Sequence, residues 1–443
     1  MRGGGYATNF LHVGLSVFRD CRNELTFKEG MTRSYGAIAL ALLSALLISI
    51  TACTQRTPVT QGMVVTVAVP ARAGAVEGKT ENSDAFIWRL FTEFTAPASK
   101  ASPAPAVFET WASDKDTFST KPHWPQPGEP LDLRTSELSV LKTIDSAAKT
   151  FDPNFVLLNM LAKPIDEECK EPRGAAVGGF PIGGTPTACI VEQVARNRPQ
   201  FDYIVKHNLN TQTGLASAYA KSFQVEMPVE SIALKGDWIP LSALQRWIPQ
   251  AGDVANIKKL YYTVTVKNVE YALVAMHVSS RQNANWVWGT FEHQLNPGRC
   301  DAIGCFDTFG AQIPAVEPNK KAFNTQYGVC LKTPQLKTMM TNANLSPVWE
   351  NYCLKSTQVD FVAADGTPFA LGNSVIEGIV GNGTVAASSC ITCHFYASFG
   401  PTGEPTKSAI AILPFNPTGN PIPGVLTGSQ QFAFMWGVVQ APK

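Results

Sequence analysis

The first folded part of the chain carries apolar residues at helical spacing. In "NSDAFIWRLFTEF" (82–94) they fall on one helical face: Phe86, Ile87, Leu90, Phe91 and Phe94. Ser83 or Asp84 is suited to cap the start, and the Pro- and Ser-rich run 96–106 cannot continue the helix. The pattern predicts a helix over about 84–94, and similar spacing predicts two more helices at 136–151 and 152–163.

From about residue 222 the pattern changes to partial alternation. Five segments are rich in β-branched and aromatic residues: "SFQVEMP", "SIALKGDW", "YYTVTV", "YALVAMHV" and "WVWGTF". The strongest signal is a hairpin that turns near Lys267–Asn268. A short helix is predicted at 334–344. The predicted fold class is α+β, with N-terminal helices, a central antiparallel β-sheet and a loop-rich C-terminal segment.

The N-terminal residues have the features of an exported protein. The apolar run Ala37–Ile50 is 14 residues long, which is short for a membrane span and typical of a signal peptide. Met31 is therefore the expected start, and residues 1–30 are an upstream extension. The following "ITAC" resembles a bacterial lipoprotein box with Cys53 as the lipid-bearing residue. An ordinary secreted protein, cut nearby, is the alternative.

Near the C-terminus, "SSCITCHFYASFG" places Cys390, Cys393 and His394 in the order C-x-x-C-H. With 10 Cys and 6 His in 443 residues, chance gives about 0.003 such patterns. Two thiols at this spacing can bond one edge of a porphyrin, and the next His can bind its iron, as in c-type haem. The alternatives are a structural or redox disulfide and a metal site, although no second C-x-x-C completes a zinc site. The sequence predicts one covalent haem c.

Export makes the other cysteines interpretable. Apart from Cys21, Cys53 and the motif pair, six cysteines remain, and an oxidising compartment favours their pairing. Neighbours along the chain suggest three pairs, although six cysteines allow fifteen connectivities: Cys169–Cys189, Cys300–Cys305 and Cys330–Cys353.

Composition excludes several classes of partner. The chain is 45% hydrophobic and 16% charged, as expected for a globular protein. A net charge of +1 gives no electrostatic reason to bind nucleic acid or an anionic membrane surface. Membrane contact is expected only through the lipid on Cys53. No Ser/His/Asp arrangement or carboxylate pair favours a hydrolase.

Several motifs together resemble a family of exported bacterial c-type-cytochrome-like proteins. These proteins pair a W-x-W-x-TFEH-x-x-N stretch with a downstream SC-x-x-CH, as "WVWGTFEHQLN" and "SSCITCH" do here. "IWRLFTEFTAP", "ALKGDW", "NYCLKSTQVDF" and "LGNSVIEGI" fit in order, so the resemblance spans most of residues 84–400. It implies haem and export rather than a particular reaction. The chain departs from the family between Asn296 and Pro314, where Cys300 and Cys305 lie in an extra loop.

The residue opposite His394 on the iron separates electron carriers, which fill that position, from enzymes, which leave it open. His293 follows a predicted strand, and it is the preferred candidate for a ligand or haem-pocket residue. Met435 is the alternative, although its aromatic neighbours favour core packing. His277 lies in an apolar strand and is expected to be a core or sheet-face residue. An open iron remains a further alternative.

Trp286 and Trp288 are two residues apart, so on a strand both face the same side. We expect them to pack in the core or against the haem. The expected organisation is a leader (1–52), a tether (53–83), an α+β body (84–330) and a haem-binding segment (331–443) packed on that body.

Three functions are compatible with these features. The first is a monohaem c-type cytochrome-like protein in periplasmic electron transfer, anchored to the outer membrane and serving an unknown redox partner. The second is a haem-dependent redox enzyme of peroxidase or oxidase type with an open sixth iron position. The third is a non-haem binding or scaffold lipoprotein whose C-x-x-C forms a disulfide.

Overall fold

The computed structural model describes residues 82–101, 103–135, 190–319, 325–375, 388–413 and 416–443. Within these ranges, no helix is both long and apolar enough to cross a bilayer. The predicted leader and tether, the helices at 136–151 and 152–163, and the pair Cys169–Cys189 lie outside the described residues.

The described residues form helices before, between and after the strands of a central sheet. The α-helices are α1 Ser83–Thr95, α2 Asp114–Thr117, α3 Arg198–Lys206, α4 Gln212–Ala220, α5 Leu241–Trp247, α6 Val254–Leu260, α7 Pro334–Asn342, α8 Cys390–Phe395 and α9 Lys407–Ile412. The strands are β1 Ala112–Ser113, β2 Arg134–Thr135, β3 Val191–Arg196, β4 Ile232–Pro240, β5 Thr263–Val266, β6 Val269–Ser280, β7 Val287–His293, β8 Cys305–Phe306, β9 Ala315–Val316, β10 Tyr352–Gln358, β11 Ser398–Phe399 and β12 Gln430–Gln431. Short 3₁₀ helices are Val107–Thr110, Pro249–Ala251, Pro347–Asn351 and Trp436–Gln440.

The first predicted helix is confirmed as α1, but its cap is one residue earlier than expected. The Asp84 N–H donates to the Asn82 side chain at 2.8 Å, so Asn82 satisfies a donor that the first helical turn leaves unpaired. Ser83 and Asp84 instead bind the hydroxyl of Thr357 on β10, at 2.6 and 2.7 Å. Both residues therefore attach α1 to the sheet.

The central sheet is antiparallel, with the strand order β1-β3-β4-β6-β7-β10, while β2 pairs with β3 and β5 with β6. The predicted hairpin is confirmed between β5 and β6. Lys267 and Asn268 have φ angles of 49° and 65°, as the two central residues of a type I′ turn require. The predicted α7 and the α+β fold class are also confirmed.

One predicted strand is wrong. "SFQVEMP" (222–228) is irregular. Its apolar residues still face inward, since Met227 is buried and Phe223 and Val225 pack against the same hydrophobic cluster. The alternation therefore reflects a segment that covers the core without pairing to a strand.

The sheet has two buried faces. Directly paired residues of antiparallel strands share a face, and Met276, Phe291 and Leu354 share the one that packs against α1. There the Phe291 ring lies 4.6 Å from Phe91 and 4.9 Å from Trp88. The opposite face packs against α3, α4 and the C-terminal segment. Because both faces are covered, these strands show less alternation than a half-exposed sheet would.

Two predicted disulfides are confirmed, Cys300–Cys305 and Cys330–Cys353. The first closes the loop after β7, and the second joins the segment before α7 to β10.

Candidate functional site

The C-x-x-C-H motif begins a short helix, α8. The Ser389 hydroxyl accepts the Thr392 N–H at 3.3 Å, which caps the helix. A spacing of three residues places Cys390 and Cys393 on the same side of a helix. Both cysteines line one cavity together with His394, and neither is in a disulfide.

A glutamine from the sheet holds the start of this helix. Gln358, at the end of β10, donates to the Ser389 hydroxyl at 2.8 Å and accepts the Ile391 N–H at 3.2 Å. The Thr392 hydroxyl donates to the Gly419 carbonyl at 2.7 Å. The motif is therefore fixed against the sheet by hydrogen bonds on two sides.

The hydrogen bond of His394 determines its tautomer. Nδ1 lies 2.7 Å from the Phe434 carbonyl oxygen, which can only accept, so Nδ1 carries the proton. In the neutral ring, Nε2 then carries the lone pair. Histidine ligands of metals are generally oriented by such a bond from the other ring nitrogen.

The acceptor of this bond lies in an unusual turn. Ala433 and Phe434 have φ angles of 45° and 66°, a conformation that non-glycine residues rarely adopt. The turn is held by Phe432 N–H to the Ala397 carbonyl at 2.8 Å and by Met435 N–H to the Phe432 carbonyl at 2.9 Å. Strained backbone of this kind is concentrated at functional sites.

The sheet supplies the other wall of the cavity. The cavity encloses about 160 Å³ and is partly open to solvent. Most of its residues from the sheet come from neighbouring strands and share one face through direct pairing: Val194, Arg196, Lys235, Ala233, His277, Ser279 and Trp288. The Trp288 ring lies 4.5 Å from the His394 ring. The C-x-x-C-H motif therefore faces the sheet surface opposite the α1 core.

Charged side chains line part of this cavity. Arg134 and Arg196 both contact Asp114, and the distance from Arg134 to Asp114 is 2.7 Å. Lys235 lies 2.9 Å from the buried Glu192. Burial alone would raise the pKa of Asp114, but the two guanidinium groups outweigh it and lower that pKa. Asp114 is therefore an anion at neutral pH.

His293 lies outside the cavity, contrary to the sequence-based assignment. The residue is fully buried, and its ring stacks on Tyr261 with centroids 3.5 Å apart. Nε2 lies 3.1 Å from the Leu260 carbonyl, and Nδ1 accepts the Leu295 N–H at 3.2 Å. Both ring nitrogens bind the backbone, so His293 is a structural residue on this geometry rather than a haem-pocket residue.

The other residues that the sequence singled out differ in whether they reach the cavity. Met435 and His277 both line the cavity; His277 was expected only as a core or sheet-face residue. Trp288 lines the cavity, while Trp286 precedes β7 with φ 62°. The two ring centroids nevertheless lie 6.3 Å apart in one hydrophobic cluster, so Trp286 packs against Trp288.

The remaining part of the W-x-W-x-TFEH motif is structural. Glu292 is fully buried and accepts the Ser374 N–H at 2.7 Å, and it lies 3.0 Å from Lys355 Nζ. Asn373 donates to the Thr290 hydroxyl at 3.1 Å. The motif therefore fixes "LGNS", the start of the segment that leads to the C-x-x-C-H motif.

Sequence reasoning missed Asp114, Arg134, Arg196 and Lys235. One signal in the sequence could have pointed to Arg196. In "IVEQVAR", Glu192 and Arg196 are an even number of residues apart, which puts both charges on one face of a strand.

Comparison with models of known protein families, with curated proteins and with solved structures gives no significant match.

Proposed function

We propose that this chain is an exported monohaem c-type cytochrome-like protein, lipid-anchored at Cys53, that acts in periplasmic electron transfer. The observation that carries the proposal is the oriented His394. Its Nδ1 proton is directed to the Phe434 carbonyl, while both motif thiols line the same cavity. A disulfide or scaffold role requires neither an oriented His nor a cavity.

The residues present fit a covalent haem by the chemistry of their donors. Cys390 and Cys393 would hold the haem through two thioether bonds, each thiol adding its sulfur to one carbon of a vinyl group and its hydrogen to the other. His394 would offer Nε2 to the iron. Bound haem would supply a one-electron couple between ferric and ferrous iron. The apolar wall that includes Trp288 excludes water, and the partly open side of the cavity allows exchange with a partner protein.

The position of the Phe434 carbonyl bears on the sixth ligand. It binds Nδ1 of His394, so the adjoining Met435 begins on the Nδ1 side of the imidazole. His277 lies on the sheet surface that forms the other wall of the cavity. We therefore favour His277 over Met435 as the second residue that would hold the iron in an electron carrier. The haem-enzyme alternative requires that neither binds.

The test is co-expression of the full chain with haem-maturation machinery. We expect a red protein in which haem stays with the polypeptide after denaturation, because thioethers survive unfolding. Cys390→Ala with Cys393→Ala should lose the covalent haem, while Cys300→Ala with Cys305→Ala should retain it. A colourless wild-type protein would contradict the proposal and favour the scaffold alternative.

The absorption spectrum of the same protein distinguishes carrier from enzyme. We expect a low-spin wild type, a high-spin His277→Ala variant that binds small ligands, and little change in Met435→Ala. A wild type that is already high-spin and binds ligands would favour the enzyme.

A further inference from the structure

A lysine is buried beside a disulfide, away from the cavity. Lys332 is 3% exposed, and its Nζ lies 2.7 Å from Cys330 Sγ and 3.1 Å from the Cys330 carbonyl oxygen. Nζ also lies 5.4 Å from the centroid of the Trp88 ring. A disulfide sulfur is uncharged and accepts hydrogen bonds weakly, so it offsets little of the cost of burying an ammonium group. The contact between Lys332 and Cys330 therefore needs an explanation.

The other charges near Lys332 act on it from a distance. Burial lowers the pKa of Lys332 to about 7; the charges of Asp307 and Glu350 raise it, and that of Arg299 lowers it further. Asp307 is engaged elsewhere, since its Oδ2 accepts the indole N–H of Trp88 at 2.9 Å. An anion formed on Cys330 would therefore be the nearest partner for the ammonium group.

Cys330 is the accessible half of its disulfide. It is half-buried, whereas its partner Cys353 on β10 is 4% exposed. The residues on either side of Cys330, Val329 and Leu331, are 63% and 54% exposed. A thiol from outside can therefore reach Cys330.

The second disulfide has a similar cation contact without this access. Arg299 Nη1 lies 3.4 Å from Cys300 Sγ, but Cys300 and Cys305 are both buried. Thiol–disulfide exchange depends on access to the sulfur that is attacked. Cys300–Cys305 should therefore resist a thiol that reduces Cys330–Cys353, and it serves as an internal reference.

We propose that Cys330–Cys353 is a redox-active disulfide that exchanges with a dithiol, and that Lys332 stabilises the Cys330 thiolate formed on reduction. A cation beside a sulfur stabilises its thiolate, and stabilising the reduced form makes a disulfide easier to reduce. The inference is independent of the proposed haem function, because Cys330, Lys332 and Cys353 do not line the cavity.

The exchange takes two steps. In the first, one thiolate of the dithiol attacks Cys330 Sγ, the bond to Cys353 breaks, and Cys353 leaves with the bonding electron pair and takes up a proton. In the second, the other thiol of the dithiol loses its proton and attacks the dithiol's own sulfur in the mixed disulfide, so that Cys330 leaves as a thiolate beside Lys332. The dithiol is oxidised to a disulfide by two electrons, and Cys330–Cys353 is reduced by the same two.

The first measurement is the equilibrium of the full chain with reduced and oxidised dithiothreitol, read by alkylation and peptide mass mapping of each cysteine. In Lys332→Met we expect the equilibrium of Cys330–Cys353 to shift about tenfold toward the disulfide, or about 30 mV for a two-electron couple. Lys332→Arg keeps the cation and should shift it less. The control is Lys337→Met, at an exposed lysine in α7, which should match wild type.

The alkylation rate of reduced Cys330 against pH distinguishes this role from a structural one. In wild type we expect the Cys330 thiol to ionise below the ordinary pKa of about 8.5, and in Lys332→Met at or above it. A lysine that only supports the fold would leave this profile unchanged. Thioredoxin at the same dithiol concentration tests the source of the dithiol: faster reduction than with dithiothreitol identifies a protein dithiol, and slower reduction a small one.

Three results would overturn the proposal. The first is reduction of Cys300–Cys305 as readily as Cys330–Cys353, and the second is resistance of Cys330–Cys353 to both dithiols. The third is a Lys332→Met variant with the equilibrium and pH profile of wild type. Should Lys332→Met fail to fold, the wild-type profile decides, because ionisation of Cys330 at or above a pKa of about 8.5 would equally show the proposal to be wrong.

Discussion

The histidines of the C-x-x-C-H and W-x-W-x-TFEH motifs have different hydrogen-bond environments. His394 directs its Nδ1 proton to a carbonyl oxygen, so in the neutral ring Nε2 carries the lone pair. His293 binds the backbone through both nitrogens, and burial lowers its pKa to about 3. His293 therefore serves the fold, although it belongs to a motif that suggested a functional role.

The low pKa of His293 predicts acid sensitivity. The unfolded chain binds a proton near the ordinary pKa of about 6.5, whereas the folded His293 stays neutral down to about 3. Its contribution is fully present above about 6.5 and is lost as the pH falls toward 3, by up to about 1.4 kcal/mol per pH unit. Denaturant unfolding at several pH values should show a shallower acid loss in His293→Phe. Tyr261→Phe keeps the stacked ring and should keep the wild-type slope; a matching slope in His293→Phe would contradict the prediction.

At the scale of elements, the contact between α1 and β7 is unusually close. Gly289 lies in the middle of the W-x-W-x-TFEH motif, and a Cβ there would lie 2.6 Å from Ile87 Cγ2. Real Cβ atoms essentially never approach this closely, so a side chain at 289 would separate the helix from the sheet. The glycine is required by packing rather than by backbone conformation.

Gly289→Ala should therefore destabilise the protein by about 1–3 kcal/mol through overpacking. The free energy of unfolding from denaturant titration measures the loss. In the double variant with Ile87→Ala, the total loss should be smaller than the sum of the single losses, because the clashing methyl groups are gone. The control is Gly400→Ala, where the nearest atom would be 3.9 Å away and the change should stay within about 0.5 kcal/mol. Additive losses in the double variant would show that Ile87 is not the cause.

The elements that were predicted correctly are those whose sequence pattern is set by residues close together in the chain. The turn at Lys267–Asn268 suits positive φ angles, and the helical stripe of α1 matches one buried face. Strand β3 was not predicted, because Glu192 and Gln193 interrupt its apolar residues. Both residues are buried, and Glu192 pairs there with Lys235, which lies far along the chain. The C-x-x-C-H site could be predicted because its residues are close together in the sequence. The contact of Arg134 and Arg196 with Asp114 could not, because folding brings these residues together from distant parts of the chain.

At the scale of the whole molecule, two disulfides close loops of different length in the chain. Cys330–Cys353 has a sequence separation of 23, and Cys300–Cys305 a separation of 5. Closing a longer loop removes more conformational entropy from the unfolded chain. The longer bridge should therefore contribute more stability.

The paired variants Cys330→Ser/Cys353→Ser and Cys300→Ser/Cys305→Ser test this difference. We expect losses of about 3 and about 2 kcal/mol in the free energy of unfolding. Thermal unfolding with calorimetry gives a second measure of the order. Equal losses, or a larger loss for the shorter bridge, would show that chain entropy does not set the contributions.

The two faces of the sheet also limit how such a protein can change over evolutionary time. Trp288 belongs to the cavity and Phe291 to the α1 core, although both lie on β7. One inserted or deleted residue in that strand would exchange the faces of every residue beyond it. Insertions between strands therefore disturb the two faces less than insertions within this strand. The loop after β7, which carries its own disulfide between Cys300 and Cys305, lies where such growth leaves both faces intact.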